Sequence, residues 1–411
     1  MESYDFLIIG AGLAGLHCAL QLSSQYPNAS IAMCESYFYI GGRVVSYSPK
    51  DFKGITWENG AGRIHSSHSK ILDYCKKYNL TLIPIGDVDS FLDSKSNQIS
   101  THTWNSFSSN ILRSLSKLNS SILESHTLFQ LLEKLHLSTA FLKHFPYSSE
   151  FFTLRADLAL LSFQHEFQSN SSFYGVKESL GELIKRIVKD LKSRNVTFLL
   201  HHTCLSISPS SAKIQVKSDS QTSTKSIGFH KCILSVHSNA LQKISPFQNY
   251  NPLSYLSMEP LLRIYAIFKS PAWFADIPKL STDSPLRFII PINPKKGVLM
   301  ISYTDGKDAK KLMKLLDSKE SLQSFIIKEI RRLFPLKEIP DPLFFKAHPW
   351  YDGCTYWLPG DYSPQALSKT FMHPLPNSHP NVYVCGESYS MKQAWMEGAL
   401  EHADSMLKKY F

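Results

Sequence analysis

The sequence has few cysteines, and their spacing matches none of the patterns that bind zinc or build small disulfide frameworks. Their number is odd, and no two stand in a CxxC arrangement. This excludes a disulfide-stapled scaffold and favours a reducing compartment, for which we predict the cytoplasm. The seven cysteines stand at positions 18, 34, 75, 204, 232, 354 and 385.

Long apolar and long basic runs are also missing. No apolar run reaches the roughly 18 residues that a membrane-spanning helix needs, so we expect no membrane partner. A strand that the fold requires follows Met1 within a few residues, so we expect no cleavable signal peptide. The net charge is +10, but the longest basic runs are the pairs Lys295-Lys296 and Lys310-Lys311. We therefore expect no nucleic-acid partner, and we attribute the charge to steering of anionic ligands. The sequence also shows no metal-binding constellation, so we expect no metal.

What the sequence does contain is a glycine-rich turn between a strand and a helix. Residues 4–9 form an apolar run typical of a buried parallel strand, and Gly10, Gly12 and Gly15 follow it as GxGxxG. One glycine allows the turn, one lets a pyrophosphate approach the backbone, and one lets the helix pack closely on the strand. The free N–H groups and the positive dipole end of the helix then face the phosphates.

Glu35 completes a dinucleotide-binding unit. It follows the second predicted strand, residues 31–34, where a carboxylate accepts the ribose hydroxyls of an adenosine. A carboxylate there repels a 2′-phosphate, which disfavours NADP. The alternative is that the glycines merely make a turn.

A second element separates FAD from NAD. Five residues separate Glu35 from Gly41-Gly42-Arg43, and this E-x5-GGR pattern resembles the FAD-dependent amine oxidase superfamily. The resemblance implies that Gly42 brings the backbone close to the cofactor and that Arg43 pairs with pyrophosphate oxygens. It also implies that Gly60 and Ala61 run beside the flavin. The alternative is a surface turn with an incidental arginine.

A third element lies near the other end of the chain. Gly386 and Glu387 end a predicted strand at 381–385, and Met396 lies at the start of a final helix from about residue 394. The resemblance implies that this strand ends near the pyrophosphate, and that the helix begins under the flavin, where its N–H groups meet a ring carbonyl. By position, it also implies that Cys204 offers its backbone to the adenine.

The resemblance implies an α/β fold, with a discontinuous Rossmann-like FAD-binding domain and a second, α+β substrate domain. The FAD-binding domain is expected in residues 1–80, 185–255 and 365–411, and the substrate domain in 81–184 and 256–364. Apolar patterning predicts helices within 105–192 and over 307–334. It predicts strands at 196–200, 212–216, 231–235, 261–268 and 297–303. Residues 336–380, rich in proline and aromatics, are expected to be irregular.

The substrate side departs from the superfamily's pattern. Members usually place a lysine ten residues before a tryptophan, where it holds a water against flavin N5. Here the tenth residue before Trp273 is Arg263. Arginine keeps the charge but cannot deprotonate, so it either anchors water there or marks altered oxidase chemistry. Lys269 follows the predicted strand 261–268, and whether it shares the face of Arg263 depends on whether the strand contains a bulge, which stays open.

Arg63 is the residue that distinguishes substrate classes. In the superfamily, L-amino-acid oxidases tend to have an arginine at this position that grips the substrate carboxylate, whereas polyamine oxidases tend to have a tryptophan. The alternative is that Arg63 pairs with an FAD phosphate or a nearby acid.

Aromatic residues and one cysteine complete the predicted site. Trp395 falls at one wall of the aromatic cage of monoamine oxidases, and Trp357 or Tyr356 is expected at the opposite wall, unless these rings are ordinary core aromatics. Cys354 lies near a position of covalent flavin attachment, but two residues out of register, so we expect FAD to be held without a covalent bond. His65 and His348 are expected to be loop or core residues.

The resemblance implies an FAD-dependent oxidoreductase that moves a hydride from a carbon beside a neutral amine to the flavin. The substrate is then an amine or an L-amino acid, and O₂ is reduced to H₂O₂. One alternative is a desaturase or a protoporphyrinogen-oxidase-like dehydrogenase on the same fold. Another is a protein that keeps FAD without catalysis.

Overall fold

The computed structural model of the protein describes residues 1–86, 90–101, 113–136, 147–166, 172–218, 221–269, 272–317 and 319–411. Parts of the predicted helical stretch, including Leu112, lie outside these residues. The helices are α1 Leu13–Gln25, α2 Ser69–Lys77, α3 Ser120–Ser125, α4 Leu128–Lys134, α5 Ser148–Phe152, α6 Ala156–Glu166, α7 Leu180–Ser193, α8 Ser238–Leu241, α9 Gly306–Met313, α10 Lys319–Leu333, α11 Pro364–Met372 and α12 Met396–Tyr410. Short 3₁₀ turns cover Phe247–Asn249, Asn251–Tyr255, Pro294–Lys296 and Glu387–Tyr389.

The strands are β1 Glu2–Ile9, β2 Ile31–Cys34, β3 Ser46–Tyr47, β4 Trp57–Glu58, β5 Ile64–His65, β6 Leu82–Ile85, β7 Ser90–Leu92, β8 Ile99–Thr101, β9 Phe173–Val176, β10 Thr197–Leu199, β11 His202–Ile207, β12 Ser211–Lys217, β13 Thr222–Leu234, β14 Leu256–Ile267, β15 Leu280–Thr282, β16 Phe288–Asn293, β17 Val298–Asp305, β18 Phe344–Trp357 and β19 Val382–Val384.

The first sheet is assembled from distant parts of the chain. Its order is β10-β2-β1-β13-β12-β11, with β19 pairing on β13. Strands β10, β2, β1, β13 and β19 run parallel, whereas β11 and β12 form an antiparallel extension. All four residues of β2 are buried, as expected for a parallel strand covered on both faces. The discontinuous Rossmann-like sheet predicted from the sequence is confirmed, while the exact domain boundaries stay a prediction.

Helices α1, α7 and α12 cover one face of this sheet with a shared apolar core. Leu16 of α1, Ile187 of α7 and Ala403 of α12 are completely buried in the same cluster as Ile8 of β1. The first and last helices of the chain therefore pack together, and each begins at the carboxyl edge of the parallel strands. This arrangement brings two helix N-termini to one side of the sheet, where ligands bind in open α/β sheets.

The second sheet has the order β18-β14-β17-β16-β15-β7-β8 and is antiparallel except between β15 and β7. Side chains alternate along β14 because successive residues point to opposite faces. Leu262 and Ile264 pack with Ile326 of α10 in one core, whereas Leu261 and Arg263 face the space between the sheets. The predicted α+β second domain is thus built around β14.

The expectation that residues 336–380 are irregular is wrong. They contain the strand Phe344–Trp357 and the helix Pro364–Met372. Proline is tolerated at residue 349 because this strand lies at the edge of its sheet and pairs only with β14. Pro364 stands in the first turn of its helix, where no N–H is needed. Within the described residues no helix is long and apolar enough to cross a membrane.

Candidate cofactor and substrate site

A cavity of about 1440 Å³ lies at the carboxyl ends of the parallel strands and is walled by residues of both sheets. It is larger than the roughly 300–1,000 Å³ of common ligand pockets, so it has room for a dinucleotide together with a substrate. Every residue predicted to bind cofactor or substrate lines it, except Gly15, which lies behind the wall. Sequence elements hundreds of residues apart therefore form one site.

The glycine-rich turn has the geometry that a phosphate site needs. Gly10 has φ +100°, which residues with a side chain rarely adopt, and a Cβ there would lie 2.8 Å from the carbonyl oxygen of Ser235. A Cβ on Gly15 would lie 2.2 Å from the carbonyl oxygen of Gly10, so close packing of helix on strand requires glycine. Gly12 instead faces open space in the cavity, and α1 begins immediately after it. A ligand can therefore approach the helix N-terminus directly.

Glu35 is buried at the end of β2, with its carboxylate on the cavity wall. One oxygen accepts from the backbone N–H of Ala11 at 2.8 Å, and the other accepts from that of Tyr37 at 2.9 Å. These bonds hold the carboxylate next to the glycine turn. Carboxylate oxygens accept more than one hydrogen bond, so the position fits the predicted role towards ribose hydroxyls.

Arg43 lies on the cavity wall, but its guanidinium already has protein partners. It forms an ion pair of 2.7 Å with Glu387 and donates to the carbonyl of Gly353 at 3.0 Å. Nearby, the N–H of Ala61 donates to the carbonyl of Arg43 at 3.0 Å, which places residues 60–61 against the same wall. The predicted pairing of Arg43 with pyrophosphate stays a prediction.

The chain end supplies the opposite wall of the cofactor region. Gly386 has φ +140° and faces open space, and Met396 is the first residue of α12. Ala394 precedes that helix with φ +65°, and its N–H donates to the Glu387 carboxylate at 2.6 Å. The N-terminus of α12 thus lines the cavity, and its predicted position under the flavin stays a prediction.

Cys204 lines the cavity from β11, the strand whose first residue, His202, donates its N–H to the carbonyl of Glu35 at 2.8 Å. Its thiol contacts the carbonyl of Ser206 at 3.7 Å, and burial raises its pKa to about 12. The sulfur is therefore a neutral core atom, and the predicted contact of the Cys204 backbone with adenine stays a prediction. Strand β11 itself was not among the strands predicted from apolar patterning.

Arg263 reaches the cavity from the middle of β14. It donates to the carbonyl of Glu58 at 3.2 Å and lies over the Tyr303 ring, 5.0 Å from its centroid. Its Nε is buried with no hydrogen-bond partner among the described residues. A Cβ on Gly62 would lie 2.9 Å from the guanidinium, so the glycine leaves the room that this arginine occupies. Lys269 is exposed beyond the end of the strand and does not line the cavity.

Arg63 lies in an aromatic environment on the same cavity. Its guanidinium donates to the Tyr147 hydroxyl at 3.0 Å and lies 5.0 Å from the Phe173 ring centroid and 5.8 Å from that of Trp395. Arg63 and Arg263 are close enough for their positive charges to repel each other. The two arginines therefore bring positive charge to the cavity wall, which Glu150 and Asp305 also line.

The two predicted cage tryptophans have different surroundings. Trp395 packs against His68 at 4.9 Å and Phe173 at 6.1 Å between ring centroids. Trp357 is fully buried, and its indole N–H donates to the carbonyl of Ser390 at 3.1 Å. Ring contacts in the described structure do not join the two tryptophans, and Trp357 has the environment of a core aromatic. Tyr356 lines the cavity and donates to Glu150 at 3.2 Å.

Cys354 and the two histidines also border the cavity. Burial, with a smaller contribution from Glu387, raises the pKa of the Cys354 thiol well above its usual value, which disfavours the thiolate. His348 accepts from the Trp57 indole N–H at 3.0 Å within an aromatic core, and burial lowers its pKa to about 3. His65 contacts the Ser67 hydroxyl at 2.7 Å. Among the described residues no group of side chains is arranged to hold a metal ion.

Sequence reasoning missed several residues of the wall. His237 follows β13 at the carboxyl edge of the parallel sheet, and burial, with the nearby Arg43, lowers its pKa to about 4. His68 contacts Trp395, and its pKa is lowered to about 3 by burial. Trp350 donates to the carbonyl of Asn59 at 2.9 Å beside the glycine-rich segment. The position after a buried parallel strand was a signal for His237, whereas the others are set by tertiary packing.

Comparison with solved structures supports the same fold. A redesigned variant of putrescine oxidase has a TM-score of 0.78 and 14% identity, over 99% of both chains. Wild-type putrescine oxidase bound to putrescine has a TM-score of 0.76 and 14% identity, again over 99% of both chains. At this identity the similarity establishes the fold.

The sequence comparisons identify the family. Aplysianin-A from Aplysia kurodai is 31% identical over 137 residues, which cover 28% of this chain and 24% of that protein. The match thus spans about a quarter of that relative's length. The profile described as flavin containing amine oxidoreductase matches residues 13–405, which is nearly the whole chain. This protein therefore belongs to the flavin containing amine oxidoreductase family.

Proposed function

We propose that the protein oxidises the C–N bond of an amine that carries a carboxylate, with O₂ as the acceptor and H₂O₂ as the product. The observation that carries this proposal is the pair of guanidiniums, Arg63 and Arg263, on the wall of one cavity. Two such charges repel each other, and an anion between them offsets that repulsion. An amino acid is the simplest substrate that has both groups.

The residues of the cavity fit FAD as the cofactor of this family. We propose that Gly10, Gly12 and the N-terminus of α1 take the pyrophosphate, and that Glu35 takes the ribose. Gly12 and Gly386 support this because each leaves open space where a side chain would block the approach. When bound there, FAD would supply the redox chemistry as a hydride acceptor.

Arg63 is proposed to bind the carboxylate of the substrate. The rings of Phe173 and Trp395 and the hydroxyl of Tyr147 orient its guanidinium. A planar fork held in this way binds a carboxylate through two charge-assisted hydrogen bonds. Arg63 is partly buried, which strengthens such bonds relative to bulk water, so the site favours an anion over a neutral amine.

Arg263 is proposed to keep a fixed positive charge near the reacting end of the cavity. Its contacts with the Glu58 carbonyl and the Tyr303 ring fix the guanidinium, and its buried Nε–H is left to hold water or substrate. The cytoplasmic setting is a separate proposal. It is supported by seven cysteines that are all free thiols, and fractionation of cells that express the tagged chain tests it.

The test begins with anaerobic mixing of the purified holoprotein with panels of L-amino acids, simple amines and diamines. We expect loss of the flavin absorbance with amino acids, and H₂O₂ when air is admitted. Methyl esters and decarboxylated analogues of the best substrate should react poorly. Bleaching by uncharged-tail amines alone contradicts the carboxylate proposal, and bleaching without reoxidation by O₂ indicates a dehydrogenase.

A matched pair of variants locates the carboxylate site. Arg63→Ala should retain FAD but raise KM for the amino acid about a hundredfold, from roughly 2–3 kcal/mol of lost pairing. Arg331→Ala removes an exposed arginine that pairs with Asp341 and should leave KM unchanged. If Arg63→Ala loses FAD and the control variant does not, Arg63 binds the cofactor rather than the substrate carboxylate.

A further inference from the structure

We infer that Tyr37, backed by Tyr39, is the surface on which the adenine ring of the cofactor stacks. The chain between Glu35 and Gly41 reads Ser-Tyr-Phe-Tyr-Ile, with three aromatic residues and no charge. The rings of Tyr37 and Tyr39 both line the cavity. Neither ring is part of the phosphate, ribose or carboxylate contacts proposed for the cavity.

The backbone places Tyr37 beside the predicted ribose acceptor. Its N–H donates to one oxygen of the Glu35 carboxylate at 2.9 Å, and its carbonyl accepts from the N–H of His201 at 3.2 Å. A ribose on Glu35 therefore carries its base towards this short segment. Cys204, whose backbone was predicted to meet the adenine, also lines the cavity, and it lies two residues after His202, whose N–H donates to the carbonyl of Glu35 at 2.8 Å.

The three aromatic side chains differ in their ring contacts and in their exposure. Tyr39 stacks on Tyr37 with ring centroids 5.4 Å apart and planes at 23°, and Phe38 meets the edge of Tyr39 at 5.3 Å and 72°. Tyr37 remains 55% exposed, and no described ring other than Tyr39 contacts it. Tyr39 thus packs against one face of the Tyr37 ring, and the rest of the ring is accessible to a ligand. Phe38 is 72% exposed but does not line the cavity.

Stacking explains why aromatic side chains stand here. An exposed tyrosine ring gains little from water, whereas a flat base covers it and buries apolar surface. Stacking of a base on an aromatic side chain changes binding by about tenfold to a hundredfold when the ring is removed. Because the segment has no charge, it recognises the π-face of the base rather than the phosphates. The inference concerns the cofactor and does not depend on the proposed substrate.

The test uses competition between two flavins in the holoprotein. The protein is incubated with an equimolar excess of FAD and FMN until exchange is complete, then acid and heat release the bound flavins for chromatography. FMN lacks the adenylate half, so loss of an adenine contact weakens FAD alone. We expect Tyr37→Ala to lower the bound FAD:FMN ratio about tenfold or more relative to wild type. Tyr37→Trp should keep the wild-type ratio, because it restores a stacking surface.

Phe38→Ala is the matched control, since it removes a neighbouring ring that does not line the cavity. It should leave the FAD:FMN ratio unchanged. An unchanged ratio in Tyr37→Ala overturns the inference, and so does a fall of the same size in Phe38→Ala. If Tyr37→Ala does not fold, Tyr37→Leu is compared with Tyr37→Trp. The leucine variant must then show the lower ratio, and equal ratios overturn the inference.

Discussion

Arg43 and Glu387 form an ion pair of 2.7 Å on the cavity wall, although they come from the first and last segments of the chain. The Glu387 side chain is 5% exposed and also accepts from the N–H groups of Thr355 and Ala394, at 3.2 and 2.6 Å. One carboxylate therefore joins the glycine-rich segment, the edge strand β18 and the loop before α12. Breaking the pair should loosen all three parts of the site together.

The first prediction concerns that ion pair. Glu387→Gln keeps the shape but leaves the Arg43 charge without its partner, which should lower the free energy of unfolding by about 2–4 kcal/mol. Denaturant unfolding of the holoprotein measures this loss. Asp341→Asn breaks an exposed pair with Arg331 and should cost under about 1 kcal/mol. Equal effects of the two changes would show that Arg43 and Glu387 are not coupled.

The second prediction concerns cofactor retention. Glu35→Arg replaces the carboxylate on the cavity wall with a cation and removes the acceptors for Ala11 and Tyr37, so the protein should lose its yellow colour. Without the cofactor, the fold also loses the stabilisation that ligand binding provides. Absorbance of the purified protein and its thermal unfolding check both effects. Glu133→Arg, at an exposed site, should stay yellow, and full colour in Glu35→Arg contradicts the placement of the adenosine.

The third prediction concerns the arginine on β14. Arg263→Met removes the positive charge from the cavity and should slow reoxidation of the reduced flavin by O₂ at least about tenfold, with little loss of FAD. Arg263→Lys keeps the charge and should preserve or raise turnover. Stopped-flow mixing of the reduced protein with oxygen measures the rate. Lys269→Met, which removes an exposed lysine near the same strand, should react like wild type. Equal rates for Arg263→Met and wild type remove Arg263 from the reacting site.

The fourth prediction concerns stability against acid. His402 is buried in α12, its Nε2 lies 3.1 Å from the carbonyl of Ser368, and burial lowers its pKa to about 4. The unfolded chain binds this proton near pH 6.5, whereas the folded protein does not, so stability is full above that pH and falls towards pH 4. The loss from this residue at pH 5 should be about 2 kcal/mol. His402→Gln should therefore flatten the pH dependence of unfolding between pH 6.5 and 4.5.

A control variant at an exposed histidine tests whether the pH dependence comes from the buried imidazole of His402. His230→Gln changes a side chain that is 79% exposed and should keep the wild-type pH dependence. If His402→Gln unfolds with the same pH dependence as wild type, the buried imidazole does not cause the acid sensitivity. The measurement is denaturant unfolding at matched ionic strength, because surface charges also respond to pH.

The residues that line the cavity at the carboxyl edge of the parallel strands were largely predictable because their elements are local. The turn at Gly10 needs a strand before it and a helix after it, and the sequence shows both within a few residues. Glu35 and Arg43 follow at short, characteristic spacings. The same reasoning failed for residues 344–357, where a strand is stabilised by pairing with β14 despite Pro349. Edge strands of this kind depend on a partner that is distant in the sequence, so local patterning does not reveal them.

The sequence by itself determined the cofactor class, the order of the elements and the charged and aromatic candidates for the substrate side. Only the tertiary structure decided what those residues contact. It pairs Arg43 with Glu387, surrounds Arg63 with Tyr147, Phe173 and Trp395, and buries Trp357 in the core. The physical reason is that backbone turns and helix starts are dictated by neighbouring residues. Side-chain contacts across a cavity instead depend on how sheets and helices from distant segments pack.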